Sequence, residues 1–165
     1  MPSVIQKLPQ NQTCFNILSV GSGTGEVDME ILKIIKEELQ RTRGRDQIKI
    51  YNRAIEPNER ACDLYKSSVK RANDLQIDFD VRYQTFQQYK KQGPENREER
   101  TKFDIFHLMH SIYFLDIEES LSHCIENELN ANASFWVQYK EGLPDRYGKP
   151  DDSFKTVEVK KIFKI

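Results

Sequence analysis

Residues 15–39 read FNILSVGSGTGEVDMEILKIIKEEL, and this stretch decides the fold. Phe15, Ile17, Leu18 and Val20 form a compact apolar run that stops at Gly21, as a short buried strand does. Beyond the glycines, Val27, Ile31, Ile34, Ile35 and Leu39 recur at helical spacing up to about Arg43. Strand, glycine loop and helix follow one another directly. Gly21, Ser22, Gly23, Thr24 and Gly25 therefore stand at the carboxyl end of a strand, where open α/β sheets place their ligands. Glycines there let the backbone turn tightly and approach a ligand, and the helix behind them offers unpaired N–H groups.

Working outward, the alternation continues. Ile48, Ile50 and Ile55 frame a second strand, and Ala61, Leu64, Tyr65, Val69 and Ala72 mark one helical face after Pro57, a residue suited to a first helical turn. Ile77, Phe79, Val81 and Tyr83 alternate with Asp78, Asp80 and Arg82, which predicts a third strand with one solvated face, at a sheet edge. Residues 90–102, KKQGPENREERTK, hold no large apolar side chain and read as a solvated loop or a polar helix end. A fourth strand spans Phe103 to Met109. Asp116 with Glu119 forms a capping box ahead of Ile117, Leu121, Ile125 and Leu129, and Ser134 to Tyr139 is a fifth strand. The tail from Phe154 to Ile165 is ambiguous between strand and helix. Strands alternating with helices predict a parallel sheet covered on both faces, with right-handed crossovers.

Composition narrows the function. At 165 residues, 38% apolar and 31% charged, the chain suits a single domain over 1–165 with a core large enough to fold without disulfides. Twenty-five Lys and Arg against 26 Asp and Glu leave no basic surplus, so nucleic acid is not an expected partner. No run of 18 apolar residues and no signal-like start occurs, which predicts neither a membrane span nor secretion. Cys14, Cys62 and Cys124 are odd in number and in no metal-ligand spacing, which fits buried thiols in a reducing, cytoplasmic setting.

The letters of the loop choose among ligands. No GxxxxGK[ST] is present, and Asp28 stands where the third small residue of a dinucleotide fingerprint would be, which disfavours a nicotinamide oxidoreductase. Glu26 and Asp28 put two carboxylates in the first helical turn, which complements the helix dipole but repels a pyrophosphate. Glu56, at the end of the second strand, either caps its own helix or accepts hydrogen bonds from both hydroxyls of a ribose. Loop and carboxylate together describe an adenosine site without a phosphate site, the shape of S-adenosylmethionine.

The stretches ILSVGSGTGEVDMEIL, AIEP and KFDIFHLMHSIYFLDI resemble the histamine N-methyltransferases, class I S-adenosylmethionine-dependent methyltransferases, over about Leu8 to Asp152. The resemblance implies a Rossmann-like sheet of order 3-2-1-4-5, here with the last strands missing or incomplete. It implies a monomeric cytoplasmic enzyme that methylates a nitrogen of a small amine, histamine or a related imidazole. Carried over by position, Gly21, Ser22, Gly23 and Glu56 hold the methionine and ribose parts of the cofactor, and Met109 lines its cleft. Thr85 and Phe86 fall near the adenine contact. His110 stands where the family has a substrate-facing glutamine, and Tyr113 and Phe114 match an aromatic pair on the substrate side. Neither the family's leading substrate-binding helices nor its last third is matched, so an alternative is a non-catalytic relative that acts as a binding or regulatory partner. A fifth strand without later neighbours would expose Phe135, Trp136 and Val137 at a sheet edge.

Methyl transfer from a sulfonium needs an aimed nitrogen lone pair and dry surroundings, so no catalytic dyad is expected. Plainer roles stand beside each residue. Tyr113, Phe114, Phe135 and Trp136 serve equally as packing, His107 as a satisfied core histidine, and Asp104 as a loop anchor. His107 and His110 lack the further ligands that zinc requires.

Overall fold

The computed structural model describes residues 2–43, 48–72, 76–92, 101–109, 116–140 and 154–160. In chain order these form α1 (Pro2–Gln6), β1 (Cys14–Val20), α2 (Glu26–Arg43), β2 (Lys49–Glu56), α3 (Glu59–Arg71), β3 (Ile77–Tyr83) and α4 (Phe86–Gln92). Then follow β4 (Phe103–Met109), α5 (Ile117–His123), a π-helical turn (Cys124–Glu128), β5 (Leu129–Lys140) and β6 (Phe154–Lys160). One sheet of order β3-β2-β1-β4-β5-β6 results. Its first five strands are parallel, in the order expected, and β3 lies at one edge as its alternating sequence predicts.

Both faces of the sheet are covered, and β1 shows why. Phe15 and Ile17 sink into one apolar cluster with Ile31, Leu32 and Ile35 of α2, whereas Leu18 and Val20 join a second cluster with Phe86, Phe106 and Phe135. A strand buried on both sides has no polar face to alternate with, which explains its nearly continuous apolar run. Each fully buried side chain of this kind contributes about 1.5–3 kcal/mol. Phe135 stacks on Phe106 at 4.8 Å between centroids, and Trp136 is buried in the opposite cluster, so both are packing residues.

Several expectations need correction. β6 pairs antiparallel with β5, from Ser134↔Lys160 to Lys140↔Phe154, so β5 is not an edge strand and the tail is a strand over Phe154–Lys160. The helix expected to run on to Leu129 ends at His123, because the wider π turn releases the chain and Leu129 already belongs to β5. The capping box is half made: Asp116 accepts the Glu119 N–H at 3.0 Å, but the Glu119 carboxylate accepts from Lys90 Nζ at 2.7 Å instead. Asn58, not Pro57, begins α3, its side-chain oxygen accepting the Ala61 N–H at 3.0 Å. Cys14 is only partly buried, unlike Cys62 and Cys124. Among the described residues no helix is long and apolar enough to cross a membrane.

Candidate functional site

The glycine loop joins β1 to α2 at the carboxyl end of the sheet. Gly21, Gly23 and Gly25 have φ of 70°, 55° and 80°, values that glycine alone adopts without strain. Their reasons differ. Among the described residues an added Cβ on Gly23 would meet nothing within 4 Å, whereas on Gly25 it would lie 2.5 Å from two carbons of the Tyr65 ring. Gly25 is thus closed over a fully buried tyrosine, while the space above Gly23 stays open.

Glu56 ends β2 and turns its carboxylate onto this loop. Oε2 accepts the Gly23 N–H at 2.7 Å and Oε1 accepts the Asn58 N–H at 2.8 Å. The side chain therefore joins the glycine loop to the start of α3 and does not cap that helix, which Asn58 does. A carboxylate accepts about four hydrogen bonds, so each oxygen keeps one lone-pair direction free. Gly21 N–H donates to Ile55 O at 2.8 Å, and Gln84 N–H donates to Glu56 O at 3.1 Å, aligning the ends of β1, β2 and β3. Ser22 Oγ is buried without a hydrogen-bond partner among the described residues.

Asp28 does not face a ligand from the first helical turn. It is buried under the loop, where Oδ1 accepts Ser19 Oγ–H at 2.9 Å and Oδ2 accepts the Tyr65 hydroxyl at 2.8 Å. Burial pushes its carboxyl above the ordinary value, against the lowering effect of His107 and its hydrogen-bond donors. His107 of β4 is buried as expected, but Nε2 lies 3.5 Å from Asp28 Oδ1 and neither ring nitrogen has a hydrogen bond among the described residues. Burial holds this imidazole below its usual pKa, partly opposed by Asp28. Pyrophosphate repulsion at the loop therefore rests on Glu26 and Glu56, not on Asp28.

The remaining predicted residues separate. Thr85 caps α4: its hydroxyl accepts the Gln88 N–H at 3.1 Å while Gln88 Oε1 accepts the Thr85 N–H at 2.7 Å. Phe86 is a core residue, its ring packed near Tyr89 and Phe106 at 5.9 and 6.1 Å. Met109 closes β4 opposite Gln138, at the same end of the sheet as the loop. His110, Tyr113 and Phe114 lie outside the described residues. Sequence reasoning missed Tyr65 and Asn58, although the Asn58-to-Ala61 spacing is an ordinary cap signal.

A cavity of about 850 Å³ lies at the other end of the sheet, lined among others by Gln12, Cys14, Asn16, Asp78, Asp104 and Asn130. Asp104 there is the expected anchor. It accepts from Gln12 Nε2 at 2.9 Å, the Asn16 N–H at 2.9 Å and Asn130 Nδ2 at 2.7 Å, tying the chain before β1 to β5. Its carboxyl is pushed up by burial and held back by those donors. The cavity lies at the amino ends of the strands, away from the end where such sheets bind ligands.

Comparison with known proteins agrees with this geometry. The chain is 30% identical over 159 residues to carnosine N-methyltransferase 2 of Gallus gallus, covering 87% of this chain and 47% of that one. It is 29% identical over 139 residues to histamine N-methyltransferase of Rattus norvegicus, covering 83% and 45%. The chain is similar to class I methyltransferases of the histamine type. It spans about half the length of these relatives. The fold recurs in the CMeT domain of the citrinin polyketide synthase, with a TM-score of 0.56 at 14% identity over 84% of this chain and 32% of that one. It recurs also in the plantazolicin methyltransferase BamL, whose structure holds SAH, with a TM-score of 0.51 at 13% identity over 75% and 37%. No family model matches the chain.

Proposed function

We propose that this chain binds S-adenosylmethionine and forms the cofactor half of an N-methyltransferase for a small imidazole-bearing amine, histamine or carnosine being the acceptors named by its relatives. The observation that carries the reading is the Glu56 carboxylate seated 2.7 Å from the Gly23 N–H, with one free acceptor direction on each oxygen. Two such directions suit the two hydroxyls of a ribose. The unpartnered Ser22 Oγ and the open space above Gly23 supply a polar contact and room beside it. S-adenosylmethionine, when bound, supplies an electrophilic methyl on a positively charged sulfur. Glu56 orients the nucleoside, Gly21 to Gly23 let the backbone approach it, and Glu26 and Glu56 favour a cationic group over an anionic one.

Met109 at the end of β4, with His110, Tyr113 and Phe114 next in the sequence, is proposed to meet the acceptor. Aromatic faces there would accept a protonated amine and exclude water. Proposed together with this reading are a monomeric state and a cytoplasmic setting. Calorimetric titration with S-adenosylhomocysteine, beside NAD, tests the cofactor reading: wild type binds the first and not the second. Glu56→Ala should weaken that binding by about 10–100-fold, from two charge-assisted hydrogen bonds worth about 1.5–3 kcal/mol together with partial replacement by water. Equal affinity in Glu56→Ala would refute the assignment. A second reading is a cofactor-binding chain without activity, and mass spectrometry of histamine and carnosine after incubation separates the two.

A further inference from the structure

Beneath the glycine loop, four elements place polar groups around one carboxylate. Asp28 of α2 receives Ser19 of β1 and Tyr65 of α3, Tyr65 Oη in turn accepts Asn52 Nδ2 of β2 at 3.0 Å, and His107 of β4 stands 3.5 Å away. Asp28 and His107 are each 1% exposed. Leaving a buried ring nitrogen unpaired costs about 1–3 kcal/mol, so a histidine at this core position sacrifices stability that an apolar side chain would retain. Asn52 Oδ1 is likewise buried and unpaired. The cluster lies directly under the loop because Gly25 is closed over the Tyr65 ring.

We propose that His107 is a positioning residue for the glycine loop: through Asp28 it fixes the Tyr65 ring on which Gly25 sits, so the seat of the loop depends on the proton this buried pair holds. The consequence for cofactor binding rests on the S-adenosylmethionine reading. The groups facing His107 are few. Its strand neighbours Ser19 and Trp136 carry no charge, nor does Asn52 of β2. Among the described residues only Asp28 and Tyr65 around it titrate, and burial beside Asp28 keeps the Tyr65 phenol neutral. Burial pushes the Asp28 carboxyl up and the His107 imidazole down, each toward its neutral form, and one proton shared by the two leaves no net charge whichever carries it. A second proton leaves an uncompensated cation in a sealed site, which must open, and opening displaces Tyr65. Acid therefore unseats the loop.

The test follows the amide resonances of Gly23 and Gly25 by ¹⁵N NMR in the ligand-free chain, for wild type, His107→Gln and His107→Phe. The glutamine amide can still donate to Asp28, so His107→Gln should keep the neutral-pH positions of both resonances, and His107→Phe should shift that of Gly25. On acidification the wild-type Gly25 resonance should move in a step that belongs to His107, and that step should be absent from His107→Gln, where Asp28 alone is left to titrate. In the binding arm, wild-type affinity for S-adenosylhomocysteine should fall by about tenfold per pH unit below the His107 midpoint, as one linked proton requires, and His107→Gln should lack that midpoint. Identical Gly25 resonances in all three chains, or an acid-induced shift with the wild-type midpoint in His107→Gln, overturn the proposal. If His107→Phe does not fold, the acid comparison of wild type with His107→Gln decides alone. Failure of wild type to bind S-adenosylhomocysteine at any pH refutes the cofactor reading and leaves the glycine resonances to decide this one.

Discussion

Gly25→Ala should damage this protein far more than Gly23→Ala, although both glycines have positive φ and stand two residues apart. A left-handed alanine costs about 1–2 kcal/mol, and this is the whole penalty at Gly23, where a Cβ meets open space. At Gly25 the Cβ would lie 2.5 Å from Cγ and Cε2 of Tyr65, about 1 Å inside ordinary contact. The ring cannot simply retreat. It is fully buried, its hydroxyl is bound at 2.8 Å to Asp28 and at 3.0 Å to Asn52, and its edge meets Phe79 at 6.2 Å. Overpacking of this kind adds about 1–3 kcal/mol, for a total of about 2–5 against the 5–15 kcal/mol of a typical domain. Urea unfolding followed by circular dichroism measures each loss. The decisive comparison is a double-mutant cycle: in a Tyr65→Ala background, Gly25→Ala should cost only the backbone strain of about 1–2 kcal/mol. Equal losses at the two glycines, or a cycle with no coupling, would show that Tyr65 does not set the floor of the loop.

Three further outcomes are expected. Asp104→Ala strands the Asn16 N–H and the amides of Gln12 and Asn130, so the urea midpoint should drop by the equivalent of about 2–4 kcal/mol, and an unchanged midpoint would remove Asp104 as the anchor. Burial raises the pKa of Asp80, but Tyr51, Arg82 and Arg53 outweigh it and hold the carboxyl below its ordinary value. Its stabilising contribution is complete above the unfolded value of about 4 and is lost as pH falls through the lower folded value; Asp80→Asn should therefore flatten the wild-type loss of stability on that acid limb, as read by thermal unfolding. Ending the chain before Phe154 bares the β5 edge, and light scattering on warming should reveal association that the full chain lacks.

The five parallel strands were legible because each carries its own apolar run and each is followed by a helical stretch or a polar break, whereas their order followed from the family resemblance. Glu56 was legible too, as a carboxylate ending the strand beside a glycine loop. What escaped depended on contacts between distant segments. Asp28 looks like a dipole-complementing residue until Ser19, Tyr65 and His107 are folded around it. Leu129 fits a four-residue repeat with Leu121 and Ile125, and only the π turn shows that it has crossed into β5. Helix α4 was different, since Thr85 and Gln88 spell a capping box at a place read only for an adenine contact at Thr85 and Phe86.

The direction of β6 fixes where further polypeptide would have to travel. The strand descends beside β5, so Lys160 lies at the amino ends of the parallel strands, the same end of the layer as Cys14. A segment meant to roof the glycine corner from either junction would have to climb past strands such as β1, about 23 Å for seven residues at 3.3 Å each. A tag or surface anchor attached at either junction would therefore start at the opposite end of the sheet from the glycine corner.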